Sequence, residues 1–205
     1  MHPIAMYGKN GRSLRDIWKD GAQAYNGTVV EDMPNFAMLY GPNTNLGHNS
    51  IILMIESQSR YINGLINPVL EARKQGKALS LTPKPEKVKE YNTKIQEELQ
   101  KSSFNDPNCN SWYKNEKGII TNNWSRTVVD YQEMLKDVDY NDFNAEGSAA
   151  GLASQKSKMH VGRVREETYV SDKTLLTLVG AMSIAAVVGG FLMRNSKYLP
   201  SIRVR

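Results

Sequence analysis

Cysteine is almost absent from this chain. Cys109 stands alone among 205 residues, so no internal disulfide can brace the fold. That excludes the disulfide-built secreted scaffolds and any Cys-x-x-Cys redox or metal site. We read Cys109 as an inert thiol, because a reactive one needs a cation or helix N-terminus beside it. Histidine is nearly as scarce: His2, His48 and His160 are too scattered for a metal motif, no His-Glu-x-x-His occurs, and no metal site is expected. The 15 glycines are never two positions apart. No Gly-x-Gly-x-x-Gly dinucleotide turn can therefore be written from this sequence, and no Walker A loop occurs either, since no two glycines stand five apart. Internal repeats are lacking. The net charge of +5 is carried by scattered Lys and Arg residues rather than by a basic, aromatic-interleaved patch, so nucleic acid is not an expected partner. Residues 1–10 carry no positive segment followed by an apolar one, so a secretory leader is not expected.

The most informative stretch runs from Pro34 to Gln58. Phe36–Tyr40 is an apolar run of strand length, suited to burial on both faces. Gly41-Pro42-Asn43 is a turn signal, since Gly allows positive φ and Pro fixes φ near -65°. Asn49 or Ser50 can cap a helix starting at Ile51. That helix carries Ile51, Ile55, Ile62, Leu65 and Ile66 on one face and is expected to stop before Pro68. Strand, turn and helix in that order present helix N–H groups and a positive dipole end to an electron-rich ligand. The same pattern also serves as an ordinary βα packing unit.

The wording of this stretch narrows the choice. Pro34-Asn35-Phe36, then Leu39-Tyr40-Gly41-Pro42-Asn43-Thr44-Asn45-Leu46-Gly47-His48-Asn49-Ser50, then Ile55-Glu56-Ser57-Gln58, closely resembles the C-terminal part of class B flavin-dependent monooxygenases. Within that group it is similar to the Baeyer–Villiger and 4-hydroxyacetophenone monooxygenase-like enzymes. The resemblance implies a turn and helix start beside the isoalloxazine of FAD. Pro42, Asn43, Thr44, Asn45, Gly47, His48 and Asn49 are the cofactor-binding positions it implies. A further match, Ser111-Trp112-Tyr113 followed by Gly118 and Trp124, implies a lid-like segment, with Trp112 and Trp124 on the substrate or nicotinamide side. Gly8, Gly11, Leu14, Trp18, Tyr25 and Gly27 resemble the segment that leads into the strand; Trp18 is read as a packing residue. The resemblance covers roughly residues 4–133. The two nucleotide-binding folds and the catalytic arginine of such enzymes belong upstream of it, so no catalytic residue is assigned here, and FAD and NADPH are implied by resemblance only.

Elsewhere the reading is plainer. Gly76 suits a helix C-cap, Ala78–Leu81 a short strand, and Pro85 the first turn of a helix to about Lys101 with Val88, Tyr91, Ile95 and Leu99 on one face. The turns Asn105-Asp106-Pro107-Asn108 and Asn115-Glu116-Lys117-Gly118 suggest a hairpin between Trp112 and Trp124, and Val128–Phe143 a last helix. Residues 146–173, small and polar, are expected to form a flexible linker. Leu175–Met193 carries no charge. As a helix it would be roughly 28 Å long, close to the about 30 Å of a bilayer core. Lys173, Arg194 and Lys197 flank it, and Ala181, Ala185 and Gly189 recur every four residues.

The expected fold is thus an α/β fragment: the closing βα unit of a Rossmann-like FAD domain over residues 1–145, with helices and a lid-like loop. A linker, a single transmembrane helix over 174–194 and a basic tail over 195–205 are expected to follow. The expected placement is a single-pass membrane protein with its bulk in the cytosol. The expected function is that of the C-terminal part of an FAD- and NADPH-dependent, Baeyer–Villiger-type monooxygenase, oxygenating a ketone or similar organic substrate, not active alone, with a protein that supplies the missing nucleotide-binding folds as the expected partner. A non-catalytic, membrane-anchored interaction protein is the alternative.

Overall fold

A computed structural model describes residues 4–108, 111–155, 157–164 and 172–194. Two compact units result, Met1–Glu166 and Glu167–Arg205. The first is built around one long helix. A short helix α1 (Leu14–Ile17) lies in an otherwise irregular lead. Next come α2 (Ile51–Lys74), β1 (Ser80–Pro83), α3 (Pro85–Leu99), α4 (Val128–Leu135), β2 (Asp137–Asp139), β3 (Phe143–Glu146), α5 (Ala150–Gln155) and β4 (Lys158–His160). The second unit contributes α6 (Asp172–Arg194).

Helix α2 begins where its sequence predicts, with Ser50 at the N-cap position. It does not stop at Pro68. Proline cannot donate to the carbonyl four residues back, which leaves the Gly64 carbonyl without its helical partner. The Tyr140 hydroxyl donates to that carbonyl at 2.8 Å, so the break is mended from outside and the helix runs on to Lys74. It ends in a Schellman arrangement: Lys77 N–H donates to the Ala72 carbonyl at 2.9 Å and Gly76 N–H to the Arg73 carbonyl at 3.0 Å, with Gly76 at φ +68°. Tyr140→Phe is expected to lower stability by about 1–2 kcal/mol by stranding the Gly64 carbonyl, measurable by urea unfolding. An unchanged midpoint would mean that water satisfies this carbonyl equally well.

The core face of α2 is also not the isoleucine face. Met54, Tyr61, Leu65 and Ala72 are buried, together with the polar Ser57 and Gln58. Of the expected core positions only Leu65 is buried; Ile66 is exposed. Helix α4 packs across this face with Tyr131 and Leu135, both fully buried, and starts with a reciprocal capping box between Thr127 and Asp130. Each large apolar side chain buried here contributes about 1.5–3 kcal/mol. Helix α3 starts at Pro85 as predicted and buries Val88, Ile95 and Leu99.

Sheet structure is slight. Strands β1 and β3 pair antiparallel, Ser80 opposite Glu146 through Pro83 opposite Phe143. Strands β2 and β4 pair antiparallel, with Val138 opposite Met159. No parallel sheet exists among the described residues, so the architecture is mixed α/β without the expected Rossmann-like unit. The apolar run Phe36–Tyr40 is not a strand; Ala37 makes one isolated bridge to Val29, and Asn35 and Tyr40 take left-handed φ values of 54° and 55°. Two reversals within six residues leave no length for a ladder.

Three further expectations are corrected. The last helix ends at Leu135, because Asp137-Val138-Asp139 alternates outward and inward in strand period, with Val138 fully buried. The linker reading fails over residues 146–155 and 157–160, which carry β3's end, α5 and β4. Its small residues serve close approach: a Cβ on Gly147 would lie 2.4 Å from the Ala78 carbonyl oxygen, and Ala149 and Ala153 are buried. The membrane span is overturned: among the described residues no helix is long and apolar enough to cross a membrane. The single-pass localisation and the membrane partner go with it. Cys109, His2 and the tail 195–205 lie outside the described residues.

Candidate functional site

The corner leading into α2 is fixed from below by backbone. Asn43 N–H donates to the Thr121 carbonyl and Asn45 N–H to the Asn122 carbonyl, both at 2.9 Å, and Trp124 N–H donates to the Asn45 carbonyl at 2.8 Å. Asn45 and Asn123 thus form a parallel bridge. The Asn43 side chain is buried and donates to the carbonyls of Ile120 at 2.7 Å and Asn123 at 3.1 Å. Asn43 sits at φ 57°, a conformation that asparagine tolerates better than most residues. The Thr44 hydroxyl donates to the Gly41 carbonyl at 2.7 Å and closes the turn.

A second anchor is polar and deep. Gln58, fully buried on α2, accepts from Tyr40 N–H at 2.8 Å and donates to the Tyr131 hydroxyl at 2.9 Å. That hydroxyl donates onward to the Asn26 carbonyl at 2.9 Å. The Asn26 amide reaches the Tyr61 hydroxyl at 3.3 Å. One chain of hydrogen bonds therefore joins α2, α4, the Asn26-Gly27 turn and the corner. Burial holds the phenols of Tyr61 and Tyr131 well above the usual tyrosine range, so both stay neutral, Tyr131 donating to the Asn26 carbonyl and Tyr61 accepting from the Asn26 amide. Gln58→Leu keeps the volume and removes both links. It is expected to cost about 2–3 kcal/mol, since a buried hydroxyl loses its donor and Tyr40 N–H its acceptor. The same variant should loosen the corner, read as faster amide exchange at Tyr40.

The tip of the corner is open. Pro42, Asn43, Thr44 and Leu46 are buried, while Gly47, His48 and Asn49 are exposed. Asn49 accepts from Ser50 N–H at 2.6 Å, and Ser50 makes no side-chain cap bond. The first-turn N–H groups of α2 are thus left without a side-chain acceptor. Of the implied cofactor positions, the structure makes Pro42, Asn43 and Thr44 a buried foundation. Asn45 is tied through its side chain to the Tyr40 hydroxyl at 2.8 Å. Gly47, His48 and Asn49 form the surface a ligand could touch. The pair Trp112 and Trp124 is not brought together. Trp124 is core, edge-on to Tyr131 at 5.0 Å with its indole N–H on the Thr127 carbonyl at 2.9 Å. Trp112 is 78% exposed and leans on Tyr113. The hairpin between them reduces to one bridge, Lys114 to Ile120. Trp18 packs in a small apolar cluster with Leu14 and Met33, and its indole donates to the Gln23 carbonyl at 2.8 Å.

Sequence reasoning missed Gln58, Tyr131, Asn26 and Asn123 as the groups that set the corner. Gln58 had a signal, since it recurs with Met54, Tyr61 and Leu65 at helical spacing; its polarity hid it. No cluster of three metal-ligating side chains is found among the described residues.

No protein-family profile matches the chain. Individual proteins do. An FAD-binding monooxygenase, ktnD, from Aspergillus niger is 50% identical over 198 residues, 97% of this chain and 32% of that protein. A Baeyer–Villiger monooxygenase from Streptomyces coelicolor is 35% identical over 139 residues, 67% of this chain and 26% of its own. Among solved structures, a cyclohexanone monooxygenase mutant from Rhodococcus, bound to NADP+, superposes with a TM-score of 0.55 at 20% identity, over 70% of this chain and 26% of that one. An oxidized steroid monooxygenase bound to NADP gives 0.53 at 20% identity, over 78% and 26%. The chain spans about a third or less of the length of these proteins.

Proposed function

We propose, for a chain that belongs with the FAD-binding and Baeyer–Villiger monooxygenases and matches 32% of the length of its Aspergillus relative, that it supplies the flavin-facing corner of an FAD- and NADPH-dependent monooxygenase. The observation that carries this is the open tip Gly47–Asn49 at an uncapped helix start, held rigid by the Gln58–Tyr131–Asn26 chain. Uncapped N–H groups and a positive helix end fit the electron-rich edge of an isoalloxazine ring. Rigidity below them keeps that edge oriented.

The fit extends to the ring and no further. A dinucleotide also needs its diphosphate cradled, and the glycine turns that do this are missing from the sequence. One helix end offers about 0.3–1 kcal/mol of charge stabilisation, while association costs at least about 4 kcal/mol. The chain by itself should therefore hold FAD weakly, and the nucleotide-binding body that its relatives carry has to be present. When bound, FAD with NADPH supplies the redox and oxygen-activating chemistry. This chain's residues orient the ring: Asn43 and Thr44 as foundation, Gly47 to Asn49 as the contact surface. Trp112, exposed beside Tyr113, is the better candidate for a mobile substrate-side contact; Trp124 serves the core. A non-catalytic binding role is not favoured, since the named relatives are monooxygenases.

The test is a replacement. The matched third of the Aspergillus relative is exchanged for this chain, and bound flavin absorbance and NADPH oxidation are measured. A yellow, NADPH-consuming chimera is expected, with the chain alone colourless. A folded but colourless chimera would falsify the assignment.

A further inference from the structure

We propose that Tyr40 is the positioning residue of the corner: its hydroxyl holds the Asn45 amide so that the N–H2 end, and not the oxygen, is presented to an electron-rich ligand edge. This rests on the function proposed above and names the residue through which the corner orients and tunes its ligand.

Tyr40 is out of place by local chemistry. Six non-glycine residues have positive φ among the described residues; five are Asn or Asp, and the sixth is Tyr40 at 55°. Asn and Asp tolerate that region, whereas a bulky side chain there is an outlier. Packing does not account for the tyrosine, since it is 49% exposed. What the ring does is reach across the turn. Tyr40 N–H donates to Gln58 at 2.8 Å, and at the far end of the side chain the hydroxyl donates to Asn45 Oδ1, also at 2.8 Å. Asn45 is pinned through both of its backbone groups, to Asn122 and Trp124. A side-chain amide offers an acceptor at one end and two donors at the other. With the oxygen taken by Tyr40, the N–H2 end remains, and it has no acceptor among the described residues.

A second observation shows that stability alone does not select this arrangement. Asn123 is 2% exposed, and its Oδ1 is buried with no hydrogen-bond partner. Asn45 and Asn123 form a parallel bridge. Bridged residues carry their side chains on one face, on backbones about 4.8 Å apart. An Asn45 amide released from Tyr40 therefore has a buried acceptor beside it, and the phenol withholds it. A tyrosine in a left-handed conformation and an unpaired buried oxygen both oppose stability. Two such conflicts left standing at one corner mark it as functional.

The withheld N–H2 group adds a side-chain donor to the first-turn N–H groups of α2. Donors suit the carbonyl oxygens on the pyrimidine edge of an isoalloxazine ring. Negative charge on that edge grows when the ring is reduced, so a donor held there favours the reduced form.

The test compares the native chain with Tyr40→Phe, first by itself. Side-chain amide NMR should show the Asn45 N–H2 of the native chain exchanging as an exposed amide. In Tyr40→Phe it should pair with Asn123 and exchange about two- to tenfold more slowly, the factor one net hydrogen bond is worth. The melting temperature should hold, because the hydroxyl removed is at the surface. In the chimera described above, Tyr40→Phe should lower the reduction potential of the bound flavin. Asn45→Asp keeps the Tyr40 bond but presents a carboxylate oxygen in place of the donor, and it should abolish flavin retention on gel filtration. Asn45 exchange unchanged by Tyr40→Phe would overturn the inference, and so would an unchanged potential. A melting temperature that falls in step with flavin loss would make Tyr40 a brace and overturn it as well. A chimera colourless with the native residues removes the proposed function instead, a failure that the exchange measurement on the isolated chain keeps distinct.

Discussion

Gly27→Ala is expected to cost about 4 kcal/mol and to displace the corner, although the change adds one methyl group. Two effects add. Gly27 sits at φ +67°, directly after Asn26 at φ 53°. Two successive left-handed residues make the tight Asn-Gly turn that pairs Tyr25 with Val29. A side chain in that conformation costs about 1–2 kcal/mol. The second effect is contact. A Cβ on Gly27 would lie 2.2 Å from the Thr44 methyl and 3.0 Å from the Pro42 carbonyl oxygen. Thr44 cannot turn away freely, because its hydroxyl holds the Gly41 carbonyl. Gly41 cannot retreat either, since its own Cβ position is 2.3 Å from the Gly27 carbonyl oxygen. The two backbones touch through a pair of glycines, and the strain passes straight into the candidate ligand surface. Gly11→Ala separates the effects: Gly11 has φ +72° with open space around it, so only the conformational part should appear there. Urea unfolding of both variants checks this. Equal losses would mean that the corner gives way without resistance.

These glycines mark where the sequence could and could not be read. The start of α2, the Gly76 cap and the proline start of α3 were legible because each depends on local chemistry: a capping residue, a left-handed φ, a missing N–H. The buried face of α2 was not. Periodicity counts apolar residues, and the isoleucines won that count, yet Gln58 takes the core side as the partner of Tyr40 N–H and the Tyr131 hydroxyl, and Ser57 is accommodated there because its hydroxyl donates to the Leu53 carbonyl. The run through Pro68 was illegible for a similar reason, since its remedy, Tyr140, is 76 residues from the Gly64 carbonyl it serves. Phe36–Tyr40 reads as a strand from composition, but a ladder needs length, and the left-handed Asn35 and Tyr40 on either side leave room for one bridge, Ala37 to Val29. The small residues after Gly147 read as linker because composition measures bulk; here smallness lets Gly147 approach Ala78 and Gly162 approach Lys136. The site positions came from a resemblance in wording. What the resemblance did not carry was the polar chain beneath them.

That chain, with its aromatic surroundings, gives the fold a sharp alkaline limit. Tyr61, Tyr131 and Tyr91 hold their protons far more tightly than a free phenol, chiefly because burial disfavours the phenolate. Tyr25 does so for the same reason, reinforced by the negative field of Asp142, to which its hydroxyl donates at 2.6 Å. The sign is fixed by proton counting. Below about pH 10 the phenols are protonated in both the folded and the unfolded chain, and stability does not depend on them. Above that, the unfolded chain releases these protons while the folded one retains them, so stability falls with every further rise. Each buried phenol adds to the slope, and the loss should be steep. Phenolate absorbance from these tyrosines is therefore expected to rise together with loss of helical circular dichroism, as one transition above pH 10. Tyr61→Phe should move that transition to higher pH, apart from any change in neutral stability, because one proton fewer is released on unfolding. Phenolate formed smoothly around pH 10 with the helix signal intact would mean that water reaches these hydroxyls, and that the Gln58–Tyr131–Asn26 chain is not the dry anchor of the corner.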